Sequence, residues 1–355
     1  QALALRAFYY LQLVNLFGEP YTYNKEALGV PLKLTSALSI SYDKRKTVGE
    51  VYDQIVRDLD EAEKYFLMLP KEKQFLPNYR ITLPAVQLLK ARVNLYMNNL
   101  EEAAKYAKNV IQDWDFALYD LRSLSYDGVT FPNYVTYDNP ETIWAFGKRN
   151  DLLKFTYDLT GDYGVKDHRV LINASDELVD NYEDEGDLRK QFYLVPEYGY
   201  TPVCYLAVNK CMFLGESIPS DDKFMLALRL SEAYLILAEA TAKTDPMIAL
   251  NAVNELRKKR ISEEKYKDKS GLSGDELLEF VRNERRRELC FEGHRWFDLR
   301  RYGMPSFTRV WKEGGVPAKW FTMEKEDAAY TLPISKEVMD RNPGLIQNRL
   351  GNPKY

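Results

Sequence analysis

Sulfur and imidazole are scarce in this chain. Cysteine occurs three times, at Cys204, Cys211 and Cys290, too few for a disulfide framework and without the close pairing of a zinc ligand set. Two readings stay open, a Cys204–Cys211 bridge or buried free thiols, and the thiols are favoured. His168 and His294 are the only histidines, which excludes HExxH zincins and any multi-histidine metal centre. No G-x-S-x-G motif occurs, so serine catalysis has no support. No run of about 18 uncharged apolar residues occurs either, so no helix is expected to span a bilayer. Neither sign of charge dominates: 49 Lys+Arg stand against 53 Asp+Glu, for a net charge of −4. That gives no basic field to gather phosphates, and nucleic acid is not the expected partner.

What the chain does have is length, apolar content and tyrosine. Its 355 residues are 45% hydrophobic and 29% charged, enough for a large core and unlike a disordered segment. Tyrosine occurs 26 times. Its amphipathic ring suits surfaces that must be apolar and hydrogen-bonding at once.

Helical spacing organises both ends. Ala2–Phe17 is apolar nearly all round and closes at Gly18, and it reads as a core helix entered part-way along. Upstream sequence with an export signal is expected to precede it. Thr47-Val-Gly-Glu50 is a capping box opening a helix from about Val48 to Leu69, with Val51, Ile55, Leu59, Ala62 and Phe66 inward. Leu83–Met97 and Leu100–Asp113 are joined only by Asn98-Asn99 and predict an antiparallel hairpin. Small apolar residues at Ala103, Ala107 and Val110 recur as Ala249, Val253 and Leu256 in a second predicted hairpin, Leu226–Lys243 with Met247–Arg260. A further set opens at a second capping box, Ser273 to Glu276, and runs through Phe291. Helix hairpins of about 34 residues are the tetratricopeptide unit, so the expected fold is an all-α helical-repeat scaffold. Two segments break the period: Tyr119 to about Pro219, and Tyr302 to the C-terminus. Long irregular excursions of this kind are more often functional than idle.

The densest charge cluster is Asn283 to Gly303. Glu284, Glu288 and Glu292 lie four apart on one helical face, and a hydrolase would use two of them as acid and base. Nothing marks one as desolvated and protonated while another stays charged. The expectation is instead a buried ion-pair lattice with Arg285, Arg287 and Arg295.

The same segment resembles the C-terminal signature of the SusD/RagB family, Glu-Gly-x-Arg-x-x-Asp-Leu-x-Arg, here Glu292, Gly293, Arg295, Asp298, Leu299 and Arg301. Four more segments resemble the family in order: Leu5 to Gly18, the Leu83–Asp113 hairpin, Leu228 to Ala240, and Tyr330 to Asn348. The resemblance implies a single SusD-like domain over residues 1–355, with scaffold at about 1–118 and 220–303 and ligand-binding excursions at about 119–219 and 303–355. It implies a non-enzymatic, surface-exposed lipoprotein of the outer membrane, anchored by an N-terminal lipid outside this sequence. Such a protein would capture glycan, or in some relatives peptide, for a SusC-like TonB-dependent transporter.

Sugar faces pack on aromatic rings while their hydroxyls seek Asn, Asp, Arg or Tyr partners. Candidate ligand residues are therefore Tyr21, Tyr23 and Asn24 after the first helix, Tyr157 and Tyr163 near Arg149, and Tyr198 and Tyr200 in Glu-Tyr-Gly-Tyr. Trp311 and Trp320 are C-terminal alternatives. The acidic run Asp180–Asp187 has no EF-hand spacing, and reads as helix termination with an Asp187–Arg189 pair rather than a cation loop. No cofactor and no metal are expected. The rival readings are a tetratricopeptide-type adaptor with an apolar groove, and a glycoside hydrolase.

Overall fold

The computed structural model describes residues 1–37, 43–76, 80–124, 139–146, 174–182, 186–197, 204–206, 226–313 and 316–351. The first helix, α1 (Ala2–Phe17), buries Ala4, Ala7, Leu11 and Val14, and its last turn closes through the Gly18 N–H donating to the Val14 carbonyl. The second, α2 (Val48–Leu67), begins at the expected capping box. The Glu50 N–H donates to Thr47 Oγ1 at 3.1 Å, and the Thr47 N–H to Glu50 Oε2 at 2.8 Å. Val51, Ile55, Leu59, Ala62 and Phe66 are all buried, as their spacing predicts. A single turn, α3 (Lys71–Gln74), leads on to the hairpin α4 (Leu83–Tyr96) and α5 (Leu100–Gln112). Its connection turns at Asn98, whose φ of +60° suits the short polar side chain.

After α5 come β1 (Thr142–Phe146), α6 (Asp176–Asp180), α7 (Leu188–Tyr193), β2 (Val195–Glu197), β3 (Cys204–Leu206) and β4 (Leu226–Arg229). The second hairpin is α8 (Leu230–Thr241) and α9 (Pro246–Lys258). Then follow α10 (Gly274–Glu288), α11 (Arg295–Arg301), the antiparallel ribbon β5 (Phe307–Glu313) and β6 (Val316–Met323), and α12 (Lys336–Arg341).

The helices stack as antiparallel pairs, α1 on α2, α4 on α5 and α8 on α9, with α5 packed on α8 and α10 on α8. Ala103, Ala107 and Val110 on α5 and Ala249, Val253 and Leu256 on α9 are fully buried, so the small residues set how closely neighbouring helices approach. One continuous apolar core runs from α1 to α10. The fold is all-α and tetratricopeptide-like, with only short two-stranded sheets among the described residues.

Three expectations need correction. The helix expected from Leu226 starts at Leu230. Leu226–Arg229 is the strand β4, paired antiparallel with β1 from Phe146↔Leu226 to Thr142↔Arg229, because a partner strand from the excursion satisfies its backbone. Ser273 makes no side-chain cap, and Gly274 beside it has a φ of +57°. The segment after Tyr302, read as irregular, carries the β5–β6 ribbon, flagged in the sequence by two alternating aromatic runs flanking Gly314-Gly315.

The Glu284, Glu288 and Glu292 lattice exists, but most of its cations come from elsewhere in the chain. Glu284 accepts from Arg189 of α7 at 2.9 Å and Arg287 at 3.0 Å, and also pairs with Arg257. Glu288 accepts from Arg229 at 2.6 Å and Arg260 at 2.9 Å; Glu292 accepts from Arg229 at 2.7 Å. Arg285 turns instead to Asp298 at 2.9 Å, and Arg295 has no partner in the lattice. Of the expected partners Arg287 is in place, while Arg285 and Arg295 are not, because helical spacing shows only neighbours on one helix whereas the burial of three carboxylates demands cations from four elements. Asp187 and Arg189 pair at 2.7 Å as expected, and Arg189 fastens the excursion to α10 through Glu284 at 2.9 Å.

Candidate functional site

The turn after α1 places the first candidate residues. Pro20 opens it, and the Tyr23 and Asn24 N–H groups donate back to the Pro20 carbonyl at 2.9 and 3.0 Å. The Asn24 side chain closes a second turn by accepting from the Glu26 N–H at 3.2 Å. Two glycines let this loop lie against the scaffold: a side chain on Gly18 would meet Val14 O and Val48 Cγ2, both at 2.9 Å, with Gly29 Cα next at 3.4 Å.

Tyr23 and Asn24 line an open cleft of about 880 Å³ between this turn and the C-terminal tail. Across it stand Glu326, Asp327, Asn348 and Arg349. Tyr23 is 54% exposed, and its hydroxyl donates to Glu326 Oε2 at 3.3 Å. The Glu326 carboxylate raises the Tyr23 hydroxyl above the usual phenol value, so it remains a donor. Met304 and Glu326, at φ +51° and +57°, line the same cleft, and the Glu326 N–H donates to the Met304 carbonyl at 2.9 Å. Paired left-handed residues of this bulk are costly and are held only where the surroundings over-determine them.

Two arginines tie together the segments around the cleft. Arg45 is buried with no carboxylate partner among the described residues; it donates to the carbonyls of Phe17, Leu28, Gly29 and Ile346 and to Asn348 Oδ1 at 2.6–2.9 Å. Burial lowers its pKa, yet a guanidinium stays charged. Arg300 donates to the carbonyls of Gly18 and Tyr330, and burial brings it down to about 10. Together they bind the tail to the turn after α1. Neither was singled out from the sequence, because a cation satisfied by carbonyls leaves no pattern of opposite charge.

Tyr21 does not line the cleft. Its ring lies 4.9 Å from that of Tyr52 and packs on the core. Trp311 and Trp320 are 56% and 61% exposed but stand on opposite faces of the ribbon, since Trp311 pairs with Lys319 and Trp320 with Val310. Tyr157, Tyr163, Tyr198, Tyr200, Arg149 and His168 lie outside the described residues, as do the side chain of Cys204 and all of Cys211. Cys290 is buried with its sulfur 3.3 Å from the Tyr182 hydroxyl, and His294 Nδ1 accepts from Arg285 at 3.2 Å.

The carboxylates that a hydrolase would have drawn from α10 are sealed away from this cleft. Burial alone would raise Glu284, but Arg189, Arg287 and Arg257 outweigh it and hold the group down at about 2. It has no proton to give at neutral pH.

The stacked helical pairs and the loop-built cleft define a helical-repeat protein with an open surface cleft. Comparison with known proteins narrows the class. Residues 220–355 match the profile described as SusD family, and residues 1–95 match that described as starch-binding associating with outer membrane. SusD-like protein P38 of Formosa agariphila is 26% identical over 348 residues, covering 84% of this chain and 65% of that one. SusD-like protein P2 of the same organism is 26% identical over 404 residues, 100% of this chain and 73% of that one. The chain thus spans about two-thirds of the length of the first. A putative sugar binding protein from Bacteroides vulgatus superposes with a TM-score of 0.76 at 26% identity, covering 100% of this chain and 76% of that one. A SusD superfamily protein from Bacteroides thetaiotaomicron shares the fold, with a TM-score of 0.74 at 24% identity over 98% of this chain and 77% of that one. The chain belongs to the SusD/RagB family.

Proposed function

We propose that the protein is a non-enzymatic glycan-binding protein of the outer membrane surface, anchored by an N-terminal lipid and handing its ligand to a SusC-like TonB-dependent transporter. The observation that carries this reading is the exposed Tyr23 ring in an open cleft with amide, carboxylate and guanidinium groups beside it. An exposed ring with polar neighbours is the pairing a sugar face requires. The starch-binding description of the matched N-terminal profile and the sugar-binding description of a structural neighbour support it. In this reading residues 1–118 and 220–303 are scaffold, and the excursions at 119–219 and 303–355 complete the ligand surface. Tyr23 and Asn24 contact glycan, Tyr21 backs them against Tyr52, and Tyr157, Tyr163, Tyr198 and Tyr200 extend the surface. Binding by so open a site is weak, micromolar to millimolar, and gains through the transporter by effective concentration.

The adaptor reading finds less support. The groove between α5 and α8 mixes Leu100, Ala104 and Ala240 with Lys105, Lys108, Asn109 and Gln112, and no aromatic ring is among its lining residues. The test is affinity electrophoresis against a panel of polysaccharides, with product analysis after long incubation. Retardation by one polymer without released sugar supports capture. No retardation by any polymer while a peptide binds would replace it with the adaptor, and released sugar would replace it with a hydrolase.

A further inference from the structure

A second pocket, of about 410 Å³, opens between α6, the α10–α11 connection and β5. Four arginines line it, Arg285, Arg286, Arg295 and Arg309, against one lining carboxylate, Asp298. That carboxylate is already shared by Arg285 at 2.9 Å and Arg301 at 2.9 Å. Glu177 beside the pocket is likewise shared, by Arg286 at 2.8 Å and Arg309 at 3.3 Å. Arg295 has no ion pair or hydrogen bond among the described residues.

Three N–H donors behind these walls are buried and have no acceptor among the described residues: Arg295 Nε, Trp296 Nε1, and Nη1 of the fully buried Arg285. Unmet donors are rare in folded proteins and call for an explanation. Burial lowers the Arg295 pKa and the charge of Arg286 lowers it further, with Asp298 and Glu177 offsetting only part of the effect. Four arginines thus stand around the pocket against two carboxylates, Asp298 and Glu177, each already shared. Leu178, Leu289 and Phe291 supply an apolar wall, so the cavity has room for a ring as well as a charged group.

We infer that this pocket is an oxyanion site, taking a carboxylate or sulfate group on the Arg295 guanidinium with Arg286 and Arg309 beside it. Guanidinium presents paired N–H donors at the spacing of two oxygens of such a group, which an isolated ammonium does not. The source is either a free inorganic anion or the acidic substituent of a sugar. The site rests on its own geometry and does not require the Tyr23 cleft to bind glycan.

The experiment is thermal unfolding and calorimetry of the full chain at constant ionic strength set with NaCl, titrating sodium sulfate, sodium glucuronate and neutral glucose. The comparison variants are Arg295→Gln and Arg309→Gln. Arg295 has no hydrogen bond or ion pair to lose among the described residues, and Arg309, half-buried, loses one surface pair with Glu177, so both variants are expected to fold with the wild-type helix content. The expected result is a saturable rise in Tm with sulfate or glucuronate and none with glucose. The apparent dissociation constant should weaken at least tenfold in R295Q and less in R309Q. Saturation with sulfate as strong as with glucuronate points to a free anion; stronger binding of glucuronate points to an acidic sugar. A response to neither, or an unsaturating one of equal size in wild type and R295Q, overturns the site.

Discussion

Tyr21 and Tyr23 are two residues apart and read alike in the sequence, yet their rings have opposite settings. Tyr21 lies on Tyr52 in the core cluster, whereas Tyr23 stands 54% exposed in the cleft. Tyr23→Ala should leave the thermal melt within about 0.5 kcal/mol of wild type, and should weaken polysaccharide retardation about tenfold, a loss of about 1.4 kcal/mol in binding. Tyr21→Ala should instead lower stability by about 2 kcal/mol as an apolar contact is removed. Urea melts of the two variants beside affinity gels would separate these outcomes, and equal melts for both would remove the distinction. Alternation and composition show that rings gather in a loop. Which ring turns inward depends on Tyr52, 31 positions or so further along the chain, and no local pattern encodes it.

At the scale of elements, the entry to α2 is written in four residues. Thr47 and Glu50 exchange bonds at 3.1 and 2.8 Å, so Thr47→Ala should cost about 1 kcal/mol, measured by chemical denaturation. The lattice behind α10 is of another kind. Glu288 accepts from Arg229 and Arg260 and, more loosely, from Arg189 and Tyr193, all of them buried. Glu288→Gln leaves those guanidinia short of a counter-charge and should cost about 3–5 kcal/mol in the same assay. A loss under about 1 kcal/mol would mean that the remaining carboxylates absorb the charge. The capping box was legible because both its partners lie within one turn. The partners of Glu288 were not, because they come from β4, α7 and the turn after α9.

For the whole molecule the buried carboxylates set a pH window. Glu284 and Glu239 are each held at about 2, where burial would raise them but arginines, Arg189 for the first and Arg301 for the second, outweigh it. Both bind protons less readily folded than unfolded, so their contribution to stability is complete above about 4.5 and is lost as pH falls from about 4.5 toward about 2. Midpoints of thermal unfolding should therefore be level with respect to these groups above pH 5 and fall steadily below it. A flat profile down to pH 3 would show that the lattice adds no net stability.

The amino-acid sequence by itself determined the helical pairs. Small residues at Ala103, Ala107 and Val110, their echo at Ala249, Val253 and Leu256, and caps at Thr47 and Gly18 are local, and local geometry reads them directly. It also carried the family signature around Glu292 to Arg301, because those residues serve the scaffold. Only the tertiary structure decided the rest: that Leu226–Arg229 leaves the helix to pair with β1, that Tyr23 meets Glu326 across 303 positions, and that Arg45 and Arg300 close the cleft through carbonyl oxygens. Each is a contact between distant segments, and its free energy comes from burial and hydrogen bonding that neither segment can obtain alone.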